Sequence, residues 1–216
     1  MNVAKNFQEL RAGLSVESKA ASEAEQRRLA EEIQVPVMIP GSLPHPTARL
    51  VEEAGAEFDR ENVSDEEALR ELWERFPKNS RVAHILLKVV VLNELYKTRV
   101  RAIDLKPLAS HIAGLGIDGL LACGSPDAAD LIMRCPAVTS QYFSFASKYC
   151  SWHNPAAYPI YDAYVDDCLW WYRMHDGFTT YRRDSYDYPE FLRIVTAFRN
   201  HYGLSSFTFK QLDKFL

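Results

Sequence analysis

The sequence predicts an all-α protein. Apolar residues recur at helical spacing along most of the chain, and alternating strand patterns are scarce. The breaks between apolar stretches fall at proline, glycine or capping residues, leaving helix-sized pieces. No repeat of roughly 20 to 50 residues is present, so a stacked array is not expected.

The elements follow in order. The first thirty or so residues read as helix, with Phe7, Leu10, Leu14 and Val16 ahead of the polar stretch AASEAEQRRLAEEI. Residues 36 to 46, PVMIPGSLPHP, hold four prolines and a glycine, which no helix crosses. Ser64 to Glu67 matches a capping box ahead of Leu69, Leu72, Trp73 and Phe76, predicting a helix over residues 65 to 76. Ile85 to Leu95 is apolar almost all round, as a central helix should be. Shorter helical pieces follow in LKPLASHIAG, in GIDGLLACG with Asp118 as a cap, and in SPDAADLIMRC with Ser125 and Pro126 as cap and first residue. TSQYFSFASKYCSW makes a helix of over three turns, and HNPAAYPIY is a loop held out of helix by Pro155 and Pro159. Asp162 then caps a helix whose apolar face is Tyr161, Val165, Leu169 and Tyr172. YPEFLRIVTAFRNHYG ends at a glycine, and FTFKQLDKFL is a short amphipathic helix.

The composition of the 216 residues, 47% hydrophobic and 25% charged, is ordinarily globular and allows one or two closely packed domains. Net charge is −4, unevenly spread. Residues 1 to 75 carry 16 acidic and 9 basic side chains, and residues 76 to 216 carry 13 and 16. The expected division is an acidic helical region with its Pro-rich connector over 1–63 and a helical core over 64–216. No stretch approaches eighteen consecutive apolar residues, and MNVAKNFQEL lacks the pattern of a signal peptide. The expectation is a cytoplasmic protein with reduced thiols at Cys123, Cys135, Cys150 and Cys168, no membrane partner and no cofactor. Cys150 and His153 share a helix face but lack further ligands, so no metal is expected. Cys150 reads as core and His153 as a helix-end residue.

Reactive residue types concentrate in SKYCSWHNPAAYPIYDAYV, residues 147 to 165. A lysine is a covalent catalyst only when neutral, which calls for apolar surroundings; Phe145, Tyr149 and Trp152 flank Lys148. A carboxylate at the start of the next helix, Asp162, can face it across the loop and move protons. The opposing reading is a salt bridge tying two helices together.

FASKYCSW followed by YPIYDAYV resembles the lysine-bearing and aspartate-capped helices of the 8-oxoguanine DNA glycosylase branch of the helix-hairpin-helix glycosylase superfamily. The resemblance covers roughly residues 80 to 175. The glycine-rich hairpin of that family is absent, since CPAVTSQYFSFAS precedes the lysine, so a short, divergent member is the comparison. The resemblance implies a two-lobed all-α fold, Lys148 attacking sugar C1′ to expel a damaged or modified base, and Asp162 assisting. It implies aromatic walls for the flipped base, for which Trp152, Tyr158 and Tyr161 are candidates, and a Schiff base open to strand-cleaving lyase chemistry. Tyr149, Tyr164, Trp170 and Trp171 add more rings than one base pocket uses, so most of these aromatics must be packing. Asn93 and Tyr96, polar residues past an apolar helix end, are candidates for a cleft lining. Lys97, Arg99 and Arg101, with Arg182 and Arg183, are candidate DNA phosphate contacts. The other function classes are a catalytically silent module binding nucleic acid, a protein partner or a second copy, and a structural adaptor.

Overall fold

The computed structural model describes residues 43–183 and 187–216, all within one unit, Gly41–Leu216. The expected helix with Phe7, Leu10, Leu14 and Val16 lies outside the described residues, as does most of the Pro-rich connector. Among the described residues the regular structure is helical: α1 Ala48–Glu61, α2 Val63–Arg75, α3 Val82–Leu95, α4 Leu105–Leu115, α5 Asp118–Cys123, α6 Asp127–Met133, α7 Phe143–His153, α8 Ala163–Asp176, α9 Tyr188–His201 and α10 Phe209–Asp213. None is long and apolar enough to cross a membrane.

The first two helices meet at Asn62. Its side-chain amide donates to Phe58 O at 2.9 Å, closing α1, while the same residue begins α2. Ser64 therefore lies inside the first turn of α2, and the predicted capping box does not form; the chain was already turned two residues earlier. Helix α1, grouped from sequence with the acidic N-terminal region, packs in this same unit: Lys214 of the C-terminal segment pairs with Asp59 and stands 5.1 Å from the Phe58 ring.

The centre of the fold is α7, where residues 145 to 151 are each buried. The apolar α3, expected there, instead leaves Leu87 and Val90 48% and 42% exposed. Small residues decide this. Ala146, Ser147, Cys150 and Ser151 let neighbouring helices close on every side of α7, and Ser147 satisfies its hydroxyl by donating to Ser144 O at 2.9 Å. Helices α3, α5, α6 and α2 all pack against it.

Candidate functional site around Lys148 and Asp162

The two residues stand on α7 and at the start of α8, and the loop between them is pinned at several points. Asn154 donates its side-chain amide to Leu121 O at 3.2 Å, a carbonyl at the end of α5 that also accepts from Gly124 N at 3.3 Å. Gly124, just past α5, has φ of +73°, and a Cβ there would come within 2.6 Å of the Ala157 Cβ, so both backbone conformation and close approach require glycine. Tyr158 is fully buried and donates to Leu120 O at 3.0 Å and Ser125 O at 2.8 Å. At the far end Tyr161 N donates to Ser147 Oγ at 2.9 Å. Asp162 caps α8 as its sequence position predicts, accepting from Val165 N at 3.0 Å.

This frame leaves Lys148 Nζ 3.5 Å from Asp162 Oδ2, with the lysine side chain 6% exposed and the aspartate 38%. The amine also donates to Ser144 Oγ at 3.1 Å and stands 5.8 Å from the Tyr96 ring centre. Further charges surround the pair. Glu66 accepts from Tyr96 Oη at 2.6 Å and from Lys210 Nζ at 2.5 Å, while Lys210 lies 3.9 Å over the Trp152 ring. Asp213 closes the cluster: burial, with the charge of Asp162 adding to it, pushes its carboxyl up to about 7 against the opposing pull of Lys148 and Lys210. Glu66 and Lys210 also line an outer groove of about 510 Å³ between α1, α2 and the C-terminal segment, with Asp59, Glu67, Arg70 and Lys214.

The residues singled out from sequence separate into groups. Lys148, Asp162, Tyr96 and Trp152 come together. Tyr158 is spent on helix-end carbonyls, and Tyr161 packs on Phe143 and Phe191 at ring distances of 4.4 and 5.3 Å. Asn93 turns toward the loop after α3, where Lys97, Arg99 and Arg101 are exposed. Arg183 is engaged by Asp166 at 2.6 Å and by Asp167; Arg182 is exposed and has an interaction of its own. Sequence reasoning missed Glu66, Lys210 and Asp213, because no local pattern relates helices so far apart in the chain.

It also missed a second lysine. Lys88 is fully buried in α3, donating to Asn79 Oδ1 at 3.2 Å with His153 Nε2 at 3.3 Å. Asn79 Oδ1 also accepts from Tyr149 Oη at 2.5 Å, and its amide Nδ2 donates to Asp118 Oδ1 at 2.8 Å. Asp118, expected as a cap for α5, is occupied in this way with the Asn79 backbone and side chain. Because His153 Nε2 faces two donors, Lys88 Nζ and Asn79 Nδ2, it accepts and the ring proton sits on Nδ1. Burial lowers the Lys88 amine to about 8, partly offset by Asp118. Burial, reinforced by Lys88, lowers His153 to about 3, so this imidazole is neutral at ordinary pH. His153 does end its helix, yet its ring is a working part of the interior.

Residues 50–157, half of the chain, match the family model HI_0787_N, described as an N-terminal domain. The chain belongs to this family. A Haemophilus influenzae protein described as uncharacterized is 33% identical over 139 residues, covering 61% of this chain and 64% of that protein. The chain thus spans a little under two thirds of that relative's length. No solved structure matches it. The family match contains Lys148 and the whole Lys88 network, and stops short of Asp162 and α10.

Proposed function

We propose that the chain is a helical DNA glycosylase that removes a damaged or modified base, with Lys148 as nucleophile and Asp162 as its carboxylate, on a two-lobed glycosylase-type fold. One observation carries the reading: a nearly buried amine 3.5 Å from a carboxylate that itself reaches solvent, with the Tyr96 ring 5.8 Å from the amine. In the step envisaged, neutral Lys148 Nζ forms a bond to sugar C1′ and the glycosidic bond breaks. Its electron pair leaves with the base, which takes up a proton. Asp162 receives a proton from the newly bonded nitrogen and passes it to the ring oxygen O4′ as the C1′–O4′ bond breaks, its electron pair staying on O4′ while the nitrogen lone pair closes the C1′=N bond of a Schiff base. The leaving base needs an acid, and the raised Asp213 carboxyl retains a proton near neutral pH.

A second reading, a silent binding module for nucleic acid, a protein partner or another copy, draws on a different observation. Neither Lys148 nor Asp162 lines the 510 Å³ groove, whereas Glu66 and Lys210, which pair with each other, both do. Borohydride reduction with lesion-bearing duplex DNA separates the two. The excision reading expects a covalent adduct that Lys148→Ala abolishes, and no adduct across a panel of damaged and modified bases would end it.

A further inference from the structure

Helix α3 ends at Tyr96, and the loop after it bears Lys97, Arg99 and Arg101. Lys97 and Arg99 both have left-handed backbone, with φ of 48° and 60°. For long side chains that region is crowded, because Cβ approaches the backbone, and it costs about 1 kcal/mol or more at each residue. Glycine at either position would relieve the strain and delete a cation.

Asn93, in the last turn of α3, holds the loop in this form. Its Oδ1 accepts from Thr98 Oγ1 and from Val100 N, both at 2.8 Å, and its Nδ2 donates to Val100 O at 3.1 Å. Thr98 and Val100 are thereby turned inward, 7% and 4% exposed, while the three basic residues alternating with them are exposed. Arg101 is steadied by Asp104 at 2.7 Å and Thr139 at 3.0 Å, and Lys97 rests on exposed Glu94. Arg99 has no ion-pair partner among the described residues. The loop departs from Tyr96, the residue whose ring faces Lys148. The other basic segment is arranged differently, since Arg183 is already bound to Asp166 and Asp167.

We infer that residues 97 to 101 form a preorganised grip for the phosphate backbone of a nucleic acid, seating the strand beside Lys148; the purpose of that seating rests on the excision reading. A loop already braced in one shape loses little freedom on binding. Guanidinium groups match phosphate oxygens in geometry, and each phosphate neutralised releases counterions.

The test is fluorescence anisotropy of the full chain with fluorescein-labelled, unmodified single- and double-stranded oligonucleotides over a range of salt. The double variant Lys97→Ala/Arg99→Ala should weaken binding about tenfold at low salt and flatten the log–log salt slope by about 1 to 2. Arg49→Ala, which removes a cation 81% exposed on α1, should bind like the parent. Asn93→Ala retains every charge and should still weaken binding about threefold, through loss of preorganisation alone. Should that variant unfold, Arg99→Gly, which relieves strain, must lose as much affinity as Arg99→Ala. The inference is overturned by a parent protein that binds neither oligonucleotide at low salt, by a double variant that binds as the parent does, or by a loop that acts on phosphatidylserine vesicles and not on oligonucleotides. Loop-dependent binding without base release from any lesion would sink the excision reading alone, whereas base release indifferent to the loop charges would sink the grip alone.

Discussion

Lys148 and Lys88 are both withdrawn from solvent, yet their charges are handled in opposite ways. Lys148 has a carboxylate 3.5 Å away and further charged groups around it. Lys88 has neutral partners, Asn79 and His153, with the Trp73 and Tyr149 rings 5.2 and 5.8 Å from its nitrogen. A buried cation without a contacting counter-ion lowers its own proton affinity, and Lys88 does so, to about 8. The first lysine is paired with a carboxylate that is itself 38% exposed. The second ties α3, the segment before it, α5 and α7 into one interior and so holds the helix that carries the first.

The largest effect should come from truncating the interior lysine. Lys88→Ala leaves a void and removes a donor from Asn79 and His153, and should cost about 3 to 5 kcal/mol by urea denaturation. Lys88→Met retains most of the volume without the charge, and Asn79 still accepts from Tyr149, so it should stay within about 1.5 kcal/mol of the parent. Equal losses for the two variants would mean that packing around Lys88 matters far less than its charge.

Next in size, the two regions should respond to pH with opposite signs. The unfolded Lys88 amine keeps its proton up to its ordinary value of 10.5, whereas the folded one gives it up near 8. The unfolded chain binds more protons between those values, so stability climbs with pH across that window. Asp213 behaves conversely: folded, it retains its proton to about 7, and unfolded only to 3.8, so its contribution falls as pH rises between the two. Denaturation midpoints measured from pH 4 to 10.5 should lose the alkaline rise in Lys88→Met and the acid-to-neutral fall in Asp213→Asn. A flat alkaline limb in the parent would refute the shift at Lys88. The smallest stability change belongs to Lys148→Met, about 1 kcal/mol or less by the same denaturation, because its methylenes are replaced and its paired carboxylate is left partly solvated.

Part of this contrast was legible in the chain. Lys88 shares the stripe of Ile85, Val89 and Leu92, all fully buried, a helical spacing that could have marked it as core although sequence reasoning passed over it. What could not be read was its company, because Asn79, Asp118 and His153 come from three other segments. Asp162 was readable as a cap, since capping is a local bond between a side chain and an amide three residues on. Ser64 carried the same kind of signal and failed, because Asn62 had already turned the chain for both of its neighbouring helices. The central helix was misplaced for a related reason: hydrophobicity marked α3, whereas small side chains allowed α7 to be surrounded.

By itself, then, the sequence determined the helical class, most of the helix ends, and a lysine and an aspartate flanking one proline-punctuated loop, because periodicity, capping and proline geometry act over a few residues. Tertiary structure alone decided that Asp213 and Lys210 join that pair, that Asn93 braces a strained basic loop beside it, and that Lys88 anchors the helix beneath it. Those outcomes depend on burial and on contacts between distant segments, and these arise only when the chain has packed.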